Sequence, residues 1–134
     1  MPDPNQVVLT VPADARRLPL ARVVAVSCAA IAGFGLDRID DVRQCTQESL
    51  ALLLEMCPGD EVEVRCWVHS DRLEVRASVA CGLTDVGVDE SSFAWLLLTE
   101  LADDARVQLE DGRLVVRFVA EAESRFGLAT GDPQ

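Results

Sequence analysis

Few side chains in this sequence could do proton-transfer or covalent chemistry, and their spacing sorts them quickly. Glu48 stands four residues before Leu52, inside a segment from Asp37 to about Cys57. In that segment Val42, Cys45, Ser49, Leu52, Leu53 and Met56 recur at steps of three and four. This is the repeat of an α-helix, and it puts Glu48 at the edge of the apolar face, where a carboxyl can serve as a general base. A glutamate at such an edge is more commonly just solvated. Five cysteines occur at positions 28, 45, 57, 66 and 81, without a Cys-x-x-Cys pair, and His69 is the only histidine. A structural zinc site needs close ligand pairs, so no metal site is expected. The odd count, with each cysteine beside apolar residues, reads as small buried side chains in a reducing cytoplasm. One of them could respond to oxidants, but nothing in the sequence marks which. All 12 basic residues are arginine. Schiff-base, P-loop and protein-kinase lysine chemistry is therefore excluded.

The elements that must position these groups are well punctuated. Val7 to Val11 is a β-rich run stopped by Pro12. Leu18 to about Phe34 predicts a helix, with Pro19 suited to its first turn and Gly35 to its stop. Leu20, Val24, Cys28 and Ile31 form its apolar stripe, and Arg22 lies off that stripe. The Glu48 helix follows, ended by Pro58-Gly59. Glu61 to His69 alternates, with Val62, Val64, Cys66 and Val68 inward and Trp67 outward. Leu73, Val75, Ala77 and Val79 repeat the period after a loop at Ser70-Asp71. Pairing Val68 with Leu73 puts Cys66 opposite Val75 and Val64 opposite Ala77, an antiparallel hairpin. A loop over residues 80–90 leads to a helix capped by Ser91 or Ser92, which buries Phe93, Leu96, Leu97 and Leu101. Asp111-Gly112 is a favoured two-residue turn that sets Leu109 over Leu114 and Val107 over Val116.

The predicted order is β-α-α-β-β-α-β-β: an α+β two-layer sandwich, mostly antiparallel, with three main helices on one face of the sheet. Its 134 residues suit one domain, with a core over about residues 7–120 and a frayed C-terminal tail. Apolar residues make up 49% and charged residues 26%, the balance of a globular chain. Met1 to Gln6 has no basic region, and arginines 16, 17 and 22 interrupt the first apolar stretch. Neither a signal peptide nor a membrane contact is expected, and the expected location is the cytoplasm. Against 23 acidic residues the 12 arginines leave a net charge of −11. That disfavours nucleic acid as a partner and favours a protein with basic surfaces.

Four patterns in this order resemble the histidine-kinase-like ATPase (Bergerat) fold of bacterial anti-sigma factors of the serine-protein-kinase type. They are Val11-Pro12-Ala13 leading to Ala21-Arg22-Val23, the run from Asp41 through Glu48 to Leu52, the strand Val75–Val79 with Ala80-Cys81-Gly82, and Ser92-Phe93-Ala94-Trp95 with the run Leu98 to Asp104. The likeness is greatest to actinobacterial regulators of stress and sporulation sigma factors and spans residues 7–120.

The resemblance implies an anti-sigma factor that sequesters an alternative sigma factor and releases it to an anti-anti-sigma protein. It also implies a homodimer, for which the edge near Val7 and an exposed Trp67 offer surface. Arg22 matches the family's first-helix contact to both partners, and the ordinary alternative is a solvated arginine. Glu48 matches the catalytic glutamate, which positions or activates the attacking hydroxyl. The family's magnesium-holding asparagine is replaced by Leu52, which cannot coordinate a cation. The adenine-reading Asp-x-Gly-x-Gly motif is replaced by Ala80-Cys81-Gly82-Leu83-Thr84, so its aspartate and second glycine are missing. An alternative alignment gives the carboxylate to Asp85 or Asp89. The resemblance therefore implies weak or absent binding of ATP and magnesium, and an ATP-dependent serine kinase acting on the anti-anti-sigma protein is the competing reading. A third is a regulatory domain with another protein partner.

Overall fold

The computed structural model describes residues 3–123; the C-terminal tail expected to fray lies outside them. The elements follow the predicted order: β1 (Gln6–Pro12), α1 (Pro19–Ile31), α2 (Leu36–Met56), β2 (Glu61–His69), β3 (Arg72–Ala80), α3 (Phe93–Leu101), β4 (Asp104–Glu110) and β5 (Arg113–Glu121). The strands form a five-stranded sheet in the order β1-β2-β3-β5-β4, antiparallel throughout. The helices pack on it as the second layer, an α+β sandwich. No helix among the described residues is long and apolar enough to cross a membrane.

Both predicted hairpin registers are found. Val68 pairs with Leu73, Cys66 with Val75 and Val64 with Ala77. Leu109 pairs with Leu114 and Val107 with Val116. At the second turn Asp111 and Gly112 both take positive φ, 51° and 76°, the backbone that a two-residue hairpin of matching twist needs. Val62, Val64, Cys66, Leu73, Val75, Val79, Leu114, Val116 and Phe118 are fully buried beneath the helices.

The helix faces differ from expectation. On α1 the buried residues are Ala21, Ala25, Cys28 and Ala29, while Leu20, Val23 and Ile31 are exposed. The helix is rotated roughly a quarter turn from the predicted stripe. The reason is size, since a row of methyl groups lets the backbone lie close to the sheet. α1 also stops earlier than Gly35. Gly33 at φ 89° ends it, with Phe34 N–H donating to Ala29 O at 3.0 Å and Gly33 N–H to Ala30 O at 3.1 Å. That paired pattern closes many helices, and Gly35 instead precedes the first turn of α2. On α3, Leu98 is buried with Ala94, Trp95 and Leu101 against it, whereas Phe93 and Leu96 point outward. Ser92 caps this helix, its Oγ accepting from Trp95 N–H at 3.2 Å.

Candidate functional site

Glu48 does not stand on a wet helix edge. It is 8% exposed, and its Oε2 accepts from Gln44 Nε2 at 2.9 Å, one turn back on the same helix. One turn on, Leu52 is 3% exposed and belongs to the core. Between them the Ser49 hydroxyl is buried without a hydrogen-bond partner. Cys45 is buried nearby, and its thiol is pushed up to about 12 by burial, with Arg38 opposing and Asp41, Asp103 and Glu48 adding to the rise.

Ala80 closes β3 opposite Arg113 and is exposed. Cys81 N–H is held by Gly112 O at 2.9 Å, and beyond it Gly82 and Thr84 are exposed on the irregular segment that leads to α3. A Cβ added at Gly82 would meet nothing within 4 Å, so no close approach requires glycine there. This segment meets the C-terminal end of α2. Cys57 Sγ lies 4.0 Å from Ala80 O, and a Cβ at Gly59 would sit 3.4 Å from Val79 Cβ. Cys57 is about two and a half turns beyond Glu48. The structure thus brings Ala80 and Gly82 to the end of α2. Of the alternative carboxylates, Asp89 is engaged in its own turn, accepting from Ser91 N–H at 3.0 Å and Ser91 Oγ at 2.6 Å, and these bonds lower its pKa. Asp85 is exposed in the same segment.

These residues do not fit a magnesium–ATP ligand. A leucine packed in the core offers no lone pair, and the methyl of Ala80 offers adenine no acceptor. Among the described residues no three His, Cys, Asp or Glu side chains are grouped to hold a metal ion.

Arg22 is half-buried on α1, and its Nη1 lies 3.4 Å from Gln47 Oε1 on α2. With Pro19, Val23, Val26, Ser27 and Arg43 it lines a shallow groove of about 310 Å³. Two guanidiniums border an apolar floor there.

The other face of the sheet carries a lattice of ion pairs. Glu63 meets Arg65 at 2.6 Å, Glu74 meets Arg76 at 3.0 Å and Arg117 at 3.1 Å, and Arg117 also reaches Asp104 at 2.8 Å. The hydrogen bond from Arg65 lowers the pKa of Glu63. Burial works against ionisation of Glu74, but Arg117 and Arg76 outweigh it and lower its pKa. Trp67, expected to be exposed, is half-buried with the Arg76 guanidinium 5.4 Å from its ring centroid. These arginines are spent on neighbouring acids and an aromatic ring.

Sequence reasoning missed Arg38, which is 6% exposed. Its Nε donates to Glu121 O at 2.8 Å, its Nη1 to Asp41 and to Leu101 O, and its Nη2 to Asp103 at 2.5 Å. The only local signal was the Arg38/Asp41 spacing of three. No family model matches the chain, and no curated protein matches it.

Proposed function

We propose that this chain is an anti-sigma factor of the histidine-kinase-like ATPase type, holding an alternative sigma factor without needing nucleotide. The outward face of α1 carries this reading. Leu20 and Val23 are 48% and 61% exposed, and Arg22 and Arg43 border the groove beside Val23. Exposed apolar side chains flanked by guanidiniums suit a partner helix that presents its own apolar residues and a carboxylate. The element order and the four sequence patterns support the choice of family. Leu52 in the core argues against nucleotide as a requirement. The net charge of −11 favours a partner with basic surfaces, and the Arg22 groove then fixes the register of the pair. An anti-anti-sigma protein competes for the same face of α1, and the β1 edge is available for a second copy of the chain.

Coexpression with candidate sigma factors, followed by size-exclusion chromatography without ATP, tests this. A stoichiometric complex is expected. Arg22→Ala should weaken it at least about tenfold, because removing one partner of a buried charged contact typically costs about 2–5 kcal/mol. Its unfolding midpoint should be unchanged. Complex formation that strictly requires ATP would overturn the reading in favour of the kinase. Unchanged affinity would move the contact off α1.

A further inference from the structure

Four of the five cysteines meet in two pairs, and the pairs differ in access. Cys28 on α1 and Cys66 on β2 are 2% and 0% exposed, with their thiols hydrogen-bonded to each other. That bond and burial push the Cys66 thiol far up. Cys57, just after α2, and Cys81, just after β3, are both partly open to solvent. The Cys57 thiol has Cys81 as a hydrogen-bond partner and lies 4.0 Å from the carbonyl of Ala80, the residue before Cys81. Both backbones are anchored. Cys57 N–H donates to Leu53 O at 2.9 Å, and Cys81 N–H donates to Gly112 O at 2.9 Å. Gly59, two residues after Cys57, packs on Val79, two residues before Cys81. The two chain segments are therefore held side by side with the two cysteines adjacent, the arrangement from which a disulfide can close.

We propose that Cys57 and Cys81 are a reversible oxidation site that closes to an intramolecular disulfide with hydrogen peroxide as oxidant, while Cys28 and Cys66 stay reduced. The hydrogen bond to Cys81, followed by burial, raises the Cys57 pKa. With the Cys57 thiol engaged on the Ala80 carbonyl at 4.0 Å, Cys81 takes the attacking role and Cys57 the resolving one. Cys81 loses its proton and its sulfur attacks one peroxide oxygen. The O–O bond breaks, hydroxide leaves and becomes water with that proton, and Cys81 is left as a sulfenic acid. Cys57 sulfur then attacks the Cys81 sulfur, the S–O bond breaks, and a second water carries away the hydroxyl with the Cys57 proton. In total two thiols give up two electrons and two protons, and one peroxide becomes two waters. The Cys28–Cys66 pair has the sulfurs but lacks the access. The new bond ties the end of α2 to the start of the segment that leads to α3, closing a ring from residue 57 to residue 81.

The experiment treats the native full-length protein with hydrogen peroxide, then denatures it, alkylates it and weighs it. Two of the five thiols should become unreactive, with loss of two hydrogens and no added oxygen. Dithiothreitol should restore them. Trypsin should yield peptide 44–65 linked to peptide 77–106. The first of these also carries Cys45, so Cys57→Ser decides the partner. Cys57→Ser and Cys81→Ser should each abolish the link. The oxidised wild type should melt on the order of 5 °C higher than the reduced form, as a cross-link constrains the unfolded chain. Five reactive thiols after treatment, a link that survives in either variant, a Cys28–Cys66 bond, or oxidation ending in sulfinic acid would overturn the proposal.

Discussion

Helix α2 buries a charged or acidic group at each of two places, and the two are held very differently. Arg38, in the first turn, donates to Asp41, Asp103 and the carbonyls of Leu101 and Glu121. It ties together α2, the end of α3, the start of β4 and the end of β5. Glu48, almost three turns later, accepts from Gln44 on its own helix. The difference separates a residue the fold depends on from one it merely tolerates. A guanidinium with its donors matched to fixed acceptors on three other elements works as a clamp. A buried carboxyl held by one amide of the same helix joins nothing to anything.

The largest effect expected from this contrast is at the clamp. Arg38→Ala should remove about 3–5 kcal/mol from the free energy of urea unfolding, because it deletes a buried guanidinium and leaves the Asp103 carboxylate, itself 14% exposed, with only Glu121 N–H as a partner. Against the roughly 5–15 kcal/mol that stabilises a typical domain, this is a severe loss. Asp103→Asn should cost less, since the amide still accepts from Arg38 and from Glu121 N–H. A loss under about 1 kcal/mol for Arg38→Ala would erase the distinction between the two places.

Next in size is Leu52→Asn, which puts at this position the amide that the proposed family uses to hold its metal. Leu52 is a core residue, so the substitution forfeits apolar burial and strands an amide. Together these should cost about 3 kcal/mol in the same assay. The buried placement makes this change a test of packing before it is a test of ligand binding. A cost under about 1 kcal/mol would show that the Asn side chain reaches water or a polar partner, and position 52 would become a credible ligand place again.

What the sequence could convey divides along similar lines. The registers of the two hairpins were legible to the residue, because a period of two leaves only two choices of face and the apolar set selects one, whereas the pairing of β1 with β2 and of β3 with β5 was not read from the sequence. Asp111-Gly112 fixed the last hairpin by the chemistry of its turn. The α1 and α3 faces were not legible in the same way. Apolar residues surround both helices, so several stripes satisfy a period of 3.6, and the choice falls to how closely each stripe lets the helix approach the sheet. In α1 the alanines win that contest and turn Leu20 and Val23 outward. The Arg38 clamp was hidden because three of its four acceptors lie more than sixty residues away. The pairing of Cys57 with Cys81 was hidden for the same kind of reason, as it depends on where the end of α2 meets the end of β3. Of the candidate site, the identities at 48, 52, 80, 82 and 84 were readable, but the burial of Glu48 was not.

The smallest effect is expected at Glu48, and its size is what gives the contrast meaning. Glu48→Gln preserves side-chain volume and has almost the same helix propensity, so neither packing nor backbone preference should move. The amide can still accept from Gln44 Nε2 through its oxygen. What changes is that no carboxyl has to be buried with a single hydrogen bond, and burial of such a group is unfavourable unless it is well partnered. The variant should therefore be as stable as the wild type or more stable by about 0.5 kcal/mol. Gln44→Ala supplies the opposite manipulation, since it leaves the carboxyl without its amide and should cost about 1 kcal/mol. In the double variant the loss should shrink, because the substituted amide has less need of a partner than the Glu48 carboxyl, and the coupling energy of the cycle measures what the carboxyl adds to that bond over an amide. If Glu48→Gln instead loses more than about 1 kcal/mol, the carboxyl is bound to another element. Glu48 would then be a second clamp, and its burial would be explained by the fold without appeal to chemistry.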